Sequence, residues 1–263
     1  MQNPENRSAC GAELQEKLWA ATVAAPETLY QSTWRDYIFA EIWSRPGLDV
    51  KARYLIAIAG VASNGNPSDS LDHYIRGALS NQELSVQELR EVAVHSSIYN
   101  GWSSGAVIDA AVSRMSQALN LTDDGFKPLA EKPWEPSDRL QRGADEFAQV
   151  MTFPGPPPVA PYFEGGILNF VFGEVWHRES LSQRSRRWVT LVGVCDSAAT
   201  SPIQTHIYGA MASGNTTVEE MQEFVLQYAV HAGWPKASYV QGVLFDMAHK
   251  IKNNLTWDGQ PKS

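Results

Sequence analysis

Residues 37–53 read YIFAEIWSRPGLDVKAR, and residues 170–186 read FVFGEVWHRESLSQRSR, which is the same pattern displaced by 133 positions. Trp43 recurs as Trp176, and glutamate, arginine and leucine positions recur around it. Self-similarity at a fixed spacing is the signature of a repeated structural unit. The two segments therefore predict that one unit occurs twice in the chain.

The similarity continues beyond these segments with a displacement of 132. RGAL at residues 76–79 aligns with YGAM at 208–211, and IYNGWSSGA at 98–106 aligns with VHAGWPKAS at 230–238. One residue has been lost between the two blocks while the register otherwise holds. An internal duplication covering most of the chain follows, and it allows the two copies to be compared with each other.

The length of the chain fits this interpretation, because 263 residues accommodate two units of about 130 residues. We place the first unit at residues 1–125 and the second at residues 126–263, with a polar, proline-containing connector at roughly residues 120–136. A second proline-rich stretch, FPGPPPVAPYF at residues 153–163, is predicted to be a structured loop because aromatic residues flank it.

The local patterns predict helices throughout. Ser85 with Glu88, and Thr217 with Glu220, are capping boxes, in which each side chain satisfies a free amide of the other residue at a helix start. The second of these helices carries an apolar stripe, at Met221, Phe224, Val225, Tyr228 and Ala232.

Helix ends are marked as clearly as helix starts. Gly101 and Gly233 predict left-handed caps after the two capped helices, and Asp49 and Ser182 stand at N-cap positions of an earlier helix in each copy. No run of period-two alternation indicates a strand. The predicted fold class is all-α.

Composition excludes several classes of function. The net charge is −8, and an acidic surface repels phosphate backbones, so a nucleic-acid partner is not expected. The longest apolar stretch, residues 54–62, is much shorter than a membrane span, and the N-terminus lacks the pattern of a signal peptide. The two cysteines form no CxxC pair. These features predict a soluble, reduced, cytoplasmic protein without a membrane partner.

The segment IWSRPGLDVKARYLIAIAGVAS at residues 42–63 is followed by an HxxxAL-like helix and then by a capped helix of the form EVxxxxxxYxGxP. This succession resembles the carboxymuconolactone decarboxylase family, over about residues 30–115 and again over about 165–250. The resemblance implies two alkylhydroperoxidase-like helical units related by a pseudo-two-fold axis. It also implies a homo-oligomer, with a trimer favoured for a fused double copy, and a small-molecule substrate.

The family includes a decarboxylase of aromatic catabolism that needs no cofactor, and its relatives include peroxidases that use a CxxC pair. This chain has NPSDSLD at residues 66–72 and ATSPIQT at residues 199–205 where such cysteines would lie. Disulfide-relay chemistry needs a reactive thiolate and a resolving partner. Peroxidase activity is therefore not expected, and no cofactor is predicted.

The two copies depart from the family pattern in opposite ways. The motif histidine is His206 in the second copy, whereas the first copy has Tyr74 at that position and His73 one residue earlier. A shift of one residue rotates a side chain by about 100° around a helix, so His73 does not simply replace it. The motif tyrosine is Tyr99 in the first copy and His231 in the second. Either the two copies build one site jointly, or the substrate is not the family's lactone.

Decarboxylation without a cofactor requires a carboxylate anchor, an electron sink and a proton donor. Arginine binds carboxylates through its planar fork, and histidine transfers protons near neutral pH. On the resemblance, the expected catalytic residues are His206, His231, Arg186, Glu174 and Tyr99. The expected substrate-binding residues are Trp176, Trp234, Arg53, Tyr74 and His73.

Structural roles compete with several of these assignments. The recurring arginines and glutamates also fit a repeated ion pair, the tryptophans also fit the core, and His206 and His231 also fit structural helix positions. A metal site is disfavoured because no HxxxH or HExxH spacing occurs.

Three functions therefore stay open. The first is a decarboxylase-like lyase acting on a small carboxylated unsaturated ring or lactone. The second is an isomerase, hydratase or carbon–carbon lyase that uses the same proton shuttle on another small molecule. The third is a non-catalytic helical assembly module whose site has decayed.

Overall fold

The computed structural model describes residues 4–123, 125–126, 128–129 and 136–262. In this part of the chain the regular structure is helical, and the only β-type pairing is an isolated bridge between Leu255 and Pro261. The all-α prediction is confirmed. The connector predicted near residues 126–136 lies largely outside the described residues.

The first half consists of five longer α-helices, one short α-helix and one π-helix. They are α1 (Pro4–Trp19), α2 (Leu29–Thr33), π1 (Trp34–Trp43), α3 (Val50–Ala62), α4 (Asp69–Ser80), α5 (Val86–Asn100) and α6 (Trp102–Ala118).

The second half repeats this order apart from the short α2. Its helices are α7 (Pro136–Met151), π2 (Tyr162–Val175), α8 (Gln183–Asp196), α9 (Thr200–Ala212), α10 (Val218–Ala232) and α11 (Trp234–Lys252).

The predicted helix starts are confirmed at the level of single hydrogen bonds. The side chain of Asp49 accepts from the amide of Ala52, and Ser182 caps α8 in the same way. Both capping boxes are formed reciprocally at the starts of α5 and α10. These caps fix where the helices that carry the candidate site begin.

The glycine caps differ from the prediction in their backbone conformation. Gly101 and Gly233 have φ of 88° and 87° with ψ of 159° and 152°, so they are not left-handed helical residues. This combination of positive φ and extended ψ is essentially restricted to glycine. Each glycine ends one helix and begins the next, which turns the chain sharply between α5 and α6 and between α10 and α11.

The two π-helices were not anticipated from the sequence. π2 is 14 residues long, and its end is marked by a bond from the amide of Trp176 to the carbonyl oxygen of Val171, five residues earlier. π-helices are rare and usually confined to a single turn, so no sequence pattern indicates a long one.

The two halves pack face to face through their central helices. α3 packs against α8 and α10, and α5 packs against α8, so that a single hydrophobic cluster contains side chains from both halves. Contacts also come in pairs: α1 packs against π1 as α7 packs against π2. Such pairing is what the duplication predicts, and the duplication itself stays a prediction.

None of the helices in the described part of the chain combines the length and the apolar character that are needed to cross a bilayer.

Candidate active site

The second half contains an aromatic-walled cavity of about 750 Å³. Its walls come from α7, the proline-rich loop, π2, α8, α9 and the C-terminal segment, together with the end of α5 from the first half. Its aromatic lining residues are Tyr99, Phe147, Phe153, Tyr162, Phe163, Phe172 and Trp257. The described residues that line it include no aspartate, glutamate, lysine or arginine. His206 and Thr205 lie at the cavity on α9, and Ser201 lies one turn earlier.

His206 and Tyr99 meet at this cavity although they come from different halves. Their ring centroids are 5.5 Å apart, and the rings stand edge to face at 85°. The approach depends on Gly193 of α8, because a Cβ there would lie 2.5 Å from the Cβ of Tyr99. The structure thus brings together the two motif residues that the sequence analysis had found on separate copies.

His206 is held in its neutral form. Only 8% of its surface is exposed, and its Nδ1 has no hydrogen-bond partner among the described residues. Burial, together with the charge of Arg187, lowers the pKa of His206 to about 3. Desolvation and a nearby positive charge both disfavour the imidazolium. His206 is therefore a neutral imidazole near pH 7.

Tyr99 is fixed from behind by Trp176. The Nε1 atom of Trp176 donates a hydrogen bond of 3.0 Å to the phenol oxygen of Tyr99. His95 packs on the same indole, with ring centroids 4.9 Å apart, and its Nε2 lies 2.8 Å from the hydroxyl of Thr190. Burial raises the pKa of Tyr99 to about 12. Tyr99 thus presents a protonated phenol to the cavity region.

Arg187 packs on Trp176, and the sequence analysis did not select it. Its Nε donates to Asn215, and its Nη2 donates to the carbonyl oxygen of Val150, while its Nη1 has no partner among the described residues. The guanidinium lies over the ring of Trp176, 5.4 Å from the centroid. Burial lowers its pKa to about 10, so the group remains a cation.

Glu146 on α7 is a second buried group that the sequence analysis missed. Its side chain is almost completely buried, and its carboxylate lies 3.7 Å from Nε2 of His177. Burial raises the pKa of Glu146, against the opposing effect of His177 and of two arginines.

The sequence did contain a signal for these residues. In the alignment of the two copies, Arg187 corresponds to Tyr54, Glu146 to Leu14, and His95 to Gln227. A position-by-position comparison of the copies therefore reveals all three.

The expected carboxylate anchor, Arg186, does not reach the cavity. It is fully buried, and its Nη2 donates to Glu91 of the first half at 3.3 Å and to the carbonyl oxygen of Arg178 at 2.7 Å. Arg53 makes the corresponding contacts with Glu223 at 3.2 Å and with a carbonyl oxygen at 2.8 Å. Both contacts are those of buried ion pairs between the halves. The anchoring role expected for Arg186 and Arg53 is revised accordingly.

Glu174 is also occupied elsewhere. Its carboxylate is buried and pairs with Arg139 of α7, as Glu41 pairs with Arg7 of α1 at 3.0 Å. Because these arginines belong to the first helix of each half, Glu174 holds α7 against π2 and does not orient a histidine. The arginine that Glu174 holds is Arg139, which the sequence analysis did not name, so the catalytic role expected for Glu174 is revised.

Residues 28–113 match the model of the carboxymuconolactone decarboxylase family. The chain is similar to this family over these residues. It is also similar to the 4-carboxymuconolactone decarboxylase of Acinetobacter baylyi, with 29% identity over 97 residues, which are 37% of this chain and 63% of that protein. The chain thus covers less than two thirds of the length of this relative.

The position of the family match bears on the site. Tyr99 and Tyr74 lie within residues 28–113, which match the family model, whereas His206 and His231 lie outside them. The cavity described above is therefore built mainly from the half that the family model does not match.

The His206–Tyr99 pair has a counterpart that is likewise built from both halves. Tyr74 and His231 stand at the equivalent positions, with the tyrosine and the histidine exchanged, and their ring centroids are 6.1 Å apart at 86°. Tyr74 is fully buried and stacks on Trp43. Burial lowers the pKa of His231 to about 4.

The remaining expected residues lie away from the cavity. His73 stacks on Trp19, with ring centroids 4.3 Å apart, and burial lowers its pKa. Trp234 is 49% exposed and lies 6.1 Å from the ring of Tyr37. Neither side chain is among the residues that line the cavity of His206, so the apolar wall expected there from Trp234 is instead supplied by phenylalanines of α7, π2 and the proline-rich loop.

Within the described residues, no three histidine, cysteine, aspartate or glutamate side chains are grouped so that they could hold a metal ion. Cys10 is exposed and Cys195 is buried, and neither forms a disulfide. Burial raises the pKa of the Cys195 thiol, which is opposite to the change that a reactive thiolate requires.

Proposed function

We propose that the protein is a decarboxylase-like lyase acting on a small, carboxylated, unsaturated ring or lactone in the cavity of the second half. One observation carries the proposal: a neutral histidine and a protonated tyrosine from different halves meet at an aromatic-walled cavity above a buried cation. The similarity to the Acinetobacter decarboxylase supports decarboxylation as the reaction.

The reaction follows from this arrangement. The carbon–carbon bond to the carboxylate breaks, carbon dioxide leaves, and the electron pair passes into the conjugated carbonyl group to give an enolate. A proton then returns to the ring carbon. Proton transfer by a placed histidine and electrostatic stabilisation of the enolate are the contributions that the protein makes.

His206 is proposed to acquire its proton when the substrate binds. A carboxylate placed beside the ring favours the imidazolium and raises the pKa of His206 from about 3. The enolate that forms next remains close to the same histidine and to Tyr99, which donates a hydrogen bond. Binding and proton supply are coupled in this scheme, since the substrate's own charge recruits the proton that it later receives.

Arg187 contributes through its charge and not as a direct anchor. It does not line the cavity, yet its buried guanidinium lies over the ring of Trp176 and its charge lowers the pKa of His206. A charge in such a dry environment acts over a longer distance than it would in water. Arg187 therefore favours negative charge at the inner end of the cavity, both before and after carbon dioxide has left.

The test is an incubation with a panel of carboxylated muconolactones and related unsaturated keto acids, followed by mass spectrometry for a loss of about 44 Da, the mass of carbon dioxide. His206→Ala is run beside the wild type, with thermal unfolding measured so that an unfolded variant is not misread. Loss of mass that depends on His206 supports the proposal, and undiminished turnover in His206→Ala contradicts it.

A second function is favoured by the uncharged lining of the cavity. A planar substrate without a carboxylate would fit this lining and would undergo isomerisation or hydration through the same proton transfer. Deuterium incorporation from heavy water without loss of carbon dioxide, again dependent on His206, would identify this reaction.

The assembly and location that the resemblance implied remain proposals. We expect a homo-oligomer, with a trimer favoured, in the cytoplasm. Light scattering that shows a stable monomer at micromolar concentration would remove the trimer.

A further inference from the structure

The first half contains a cavity of about 630 Å³ at the place that corresponds to the cavity of His206. Gln15, Trp19 and Trp34 line it where the second half has Phe147, Met151 and Ile167. The two cavities therefore open at equivalent places, between the first helix and the π-helix of each half. Their inner ends differ.

In the second half the cavity reaches the histidine–tyrosine pair, since His206 and Tyr99 both line it. In the first half Tyr74 and His231 are not among the described residues that line the cavity. Trp19 and Trp34 touch both the cavity and the pair. The ring of Trp34 lies 6.4 Å from that of His231, and the ring of Trp19 lies 6.4 Å from that of Tyr74.

The Tyr74–His231 pair and the tryptophans beside it contain polar atoms that have no hydrogen-bond partner among the described residues. The hydroxyl of Tyr74 and Nε2 of His231 are buried without a partner among the described residues, and so are the indole nitrogens of Trp19, Trp34 and Trp43. A buried polar group without a partner is unfavourable, and native proteins usually pair such groups with protein, water or ligand. Two groups of the ring pair and three indole nitrogens beside it could therefore each accept a partner from a ligand.

We propose that the first half contains a second small-molecule site at Tyr74 and His231, which Trp19 and Trp34 close in the wild-type protein. The tryptophans occupy the space that a ligand takes in the second half. The protein therefore has one open site per chain, and its second site opens when the two tryptophans are replaced by their counterparts, methionine and isoleucine.

The ligand class follows from the groups around the pair. Tyr54 stands where the second half has Arg187, so this site lacks the counterpart of that buried cation. Glu16, Glu27 and Arg35 line its outer cavity, and because Arg35 is paired with Asp36, the two glutamates disfavour anions there. The site thus fits a planar, uncharged unsaturated ring with a hydrogen-bond acceptor, such as a lactone without a carboxylate, which Tyr74 would contact through its hydroxyl.

The experiment measures binding stoichiometry by isothermal titration calorimetry, with a phenyl-substituted butenolide as the uncharged lactone probe. Trp19→Met combined with Trp34→Ile is expected to bind one equivalent more per chain than the wild type. Adding Tyr74→Phe is expected to weaken the new site by about tenfold, since one hydrogen bond is lost. Trp34→Ile alone serves in the same way if the double variant does not fold.

The reciprocal variant, Met151→Trp with Ile167→Trp, separates this proposal from the proposed function on which its ligand class rests. It is expected to close the second-half cavity and to abolish turnover. If turnover persists, the proposed active site is misplaced. If a folded Trp19→Met, Trp34→Ile protein gains no equivalent of probe, or if the wild type already binds at Tyr74, the second closed site does not exist.

Discussion

The two histidine–tyrosine pairs are similar in geometry and different in surroundings. His206 with Tyr99 and His231 with Tyr74 stand edge to face at 85° and 86°. Only the first pair faces an aromatic cavity and has a buried arginine behind it. A pair of motif residues alone therefore does not make a site. The access of a ligand to the pair and the charge behind the pair decide what it can do.

The same asymmetry extends to the hydrogen bonds around each pair. Trp176 donates to Tyr99, whereas the corresponding Trp43 has an indole nitrogen without a partner among the described residues. Near the buried arginines, Gln227 accepts from Arg53 at 2.9 Å, whereas His95 at the equivalent place bonds to Thr190. Among the described residues Arg53 has one nitrogen without a partner, Nε, whereas Arg186 has two, Nε and Nη1.

The largest expected difference is in turnover. His206→Gln should lower kcat/KM by about 10²–10⁴-fold, the usual contribution of a placed proton donor, whereas His231→Gln should change it by less than about twofold. Both variants lose an edge-to-face ring contact, so each is the control for the other. Equal losses in the two variants would show that the effect is structural, and the assignment of His206 would then have to be abandoned.

Much of the asymmetry could have been read from the sequence, and some of it could not. The capping residues fixed the starts of α3, α5, α8 and α10, since caps act through neighbouring residues in the chain. The exchange of histidine and tyrosine between the copies was visible in the alignment of one copy with the other. The difference between Tyr54 and Arg187 is visible in the same alignment, but it lies outside the positions of the family motif.

The parts that were not predictable depend on three-dimensional packing. Trp19 and Trp34 lie 15 residues apart on different helices, and nothing in the sequence states that both stand in front of one ring pair. The sequence did not identify Arg139 as the partner of Glu174, because the two lie 35 residues apart and meet only where α7 packs against π2. The long π-helices have no recognised sequence signal.

The next comparison concerns the ion pairs between the halves. Glu91→Ala should lower the free energy of unfolding by about 3–5 kcal/mol, since it removes the only carboxylate that pairs with the fully buried Arg186 in the described structure. Glu223→Ala should cost at least about 1 kcal/mol less, because Arg53 keeps its hydrogen bond to Gln227. Urea unfolding followed by circular dichroism measures both. A larger loss for Glu223→Ala would contradict the proposed role of Gln227.

Acid should destabilise the fold through its buried histidines. The folded state holds His206 with a pKa of about 3, whereas the unfolded chain binds a proton near pH 6.5. Between these values the unfolded state carries more protons, so stability falls as the pH falls.

The expected slope is about 1.4 kcal/mol per pH unit for each such histidine. At pH 5 the wild type should therefore have lost about 2 kcal/mol more, relative to pH 7, than His206→Gln. Urea unfolding at both pH values measures the difference. The same loss in wild type and variant would mean that His206 is protonated in the folded protein.

The smallest expected effects distinguish the two tyrosine hydroxyls. Tyr99→Phe removes the acceptor of the Trp176 N–H and leaves a buried donor unpaired, which should cost about 1–3 kcal/mol. Tyr74→Phe removes a buried hydroxyl that has no partner among the described residues, so it should leave stability unchanged or raise it by up to about 1 kcal/mol. Thermal unfolding of the two variants under identical conditions gives the comparison. If Tyr74→Phe destabilises the protein as much as Tyr99→Phe does, an ordered water or a bound molecule already satisfies the Tyr74 hydroxyl. The first-half pair would then be an occupied polar site, and the view that tryptophans have sealed it would fail.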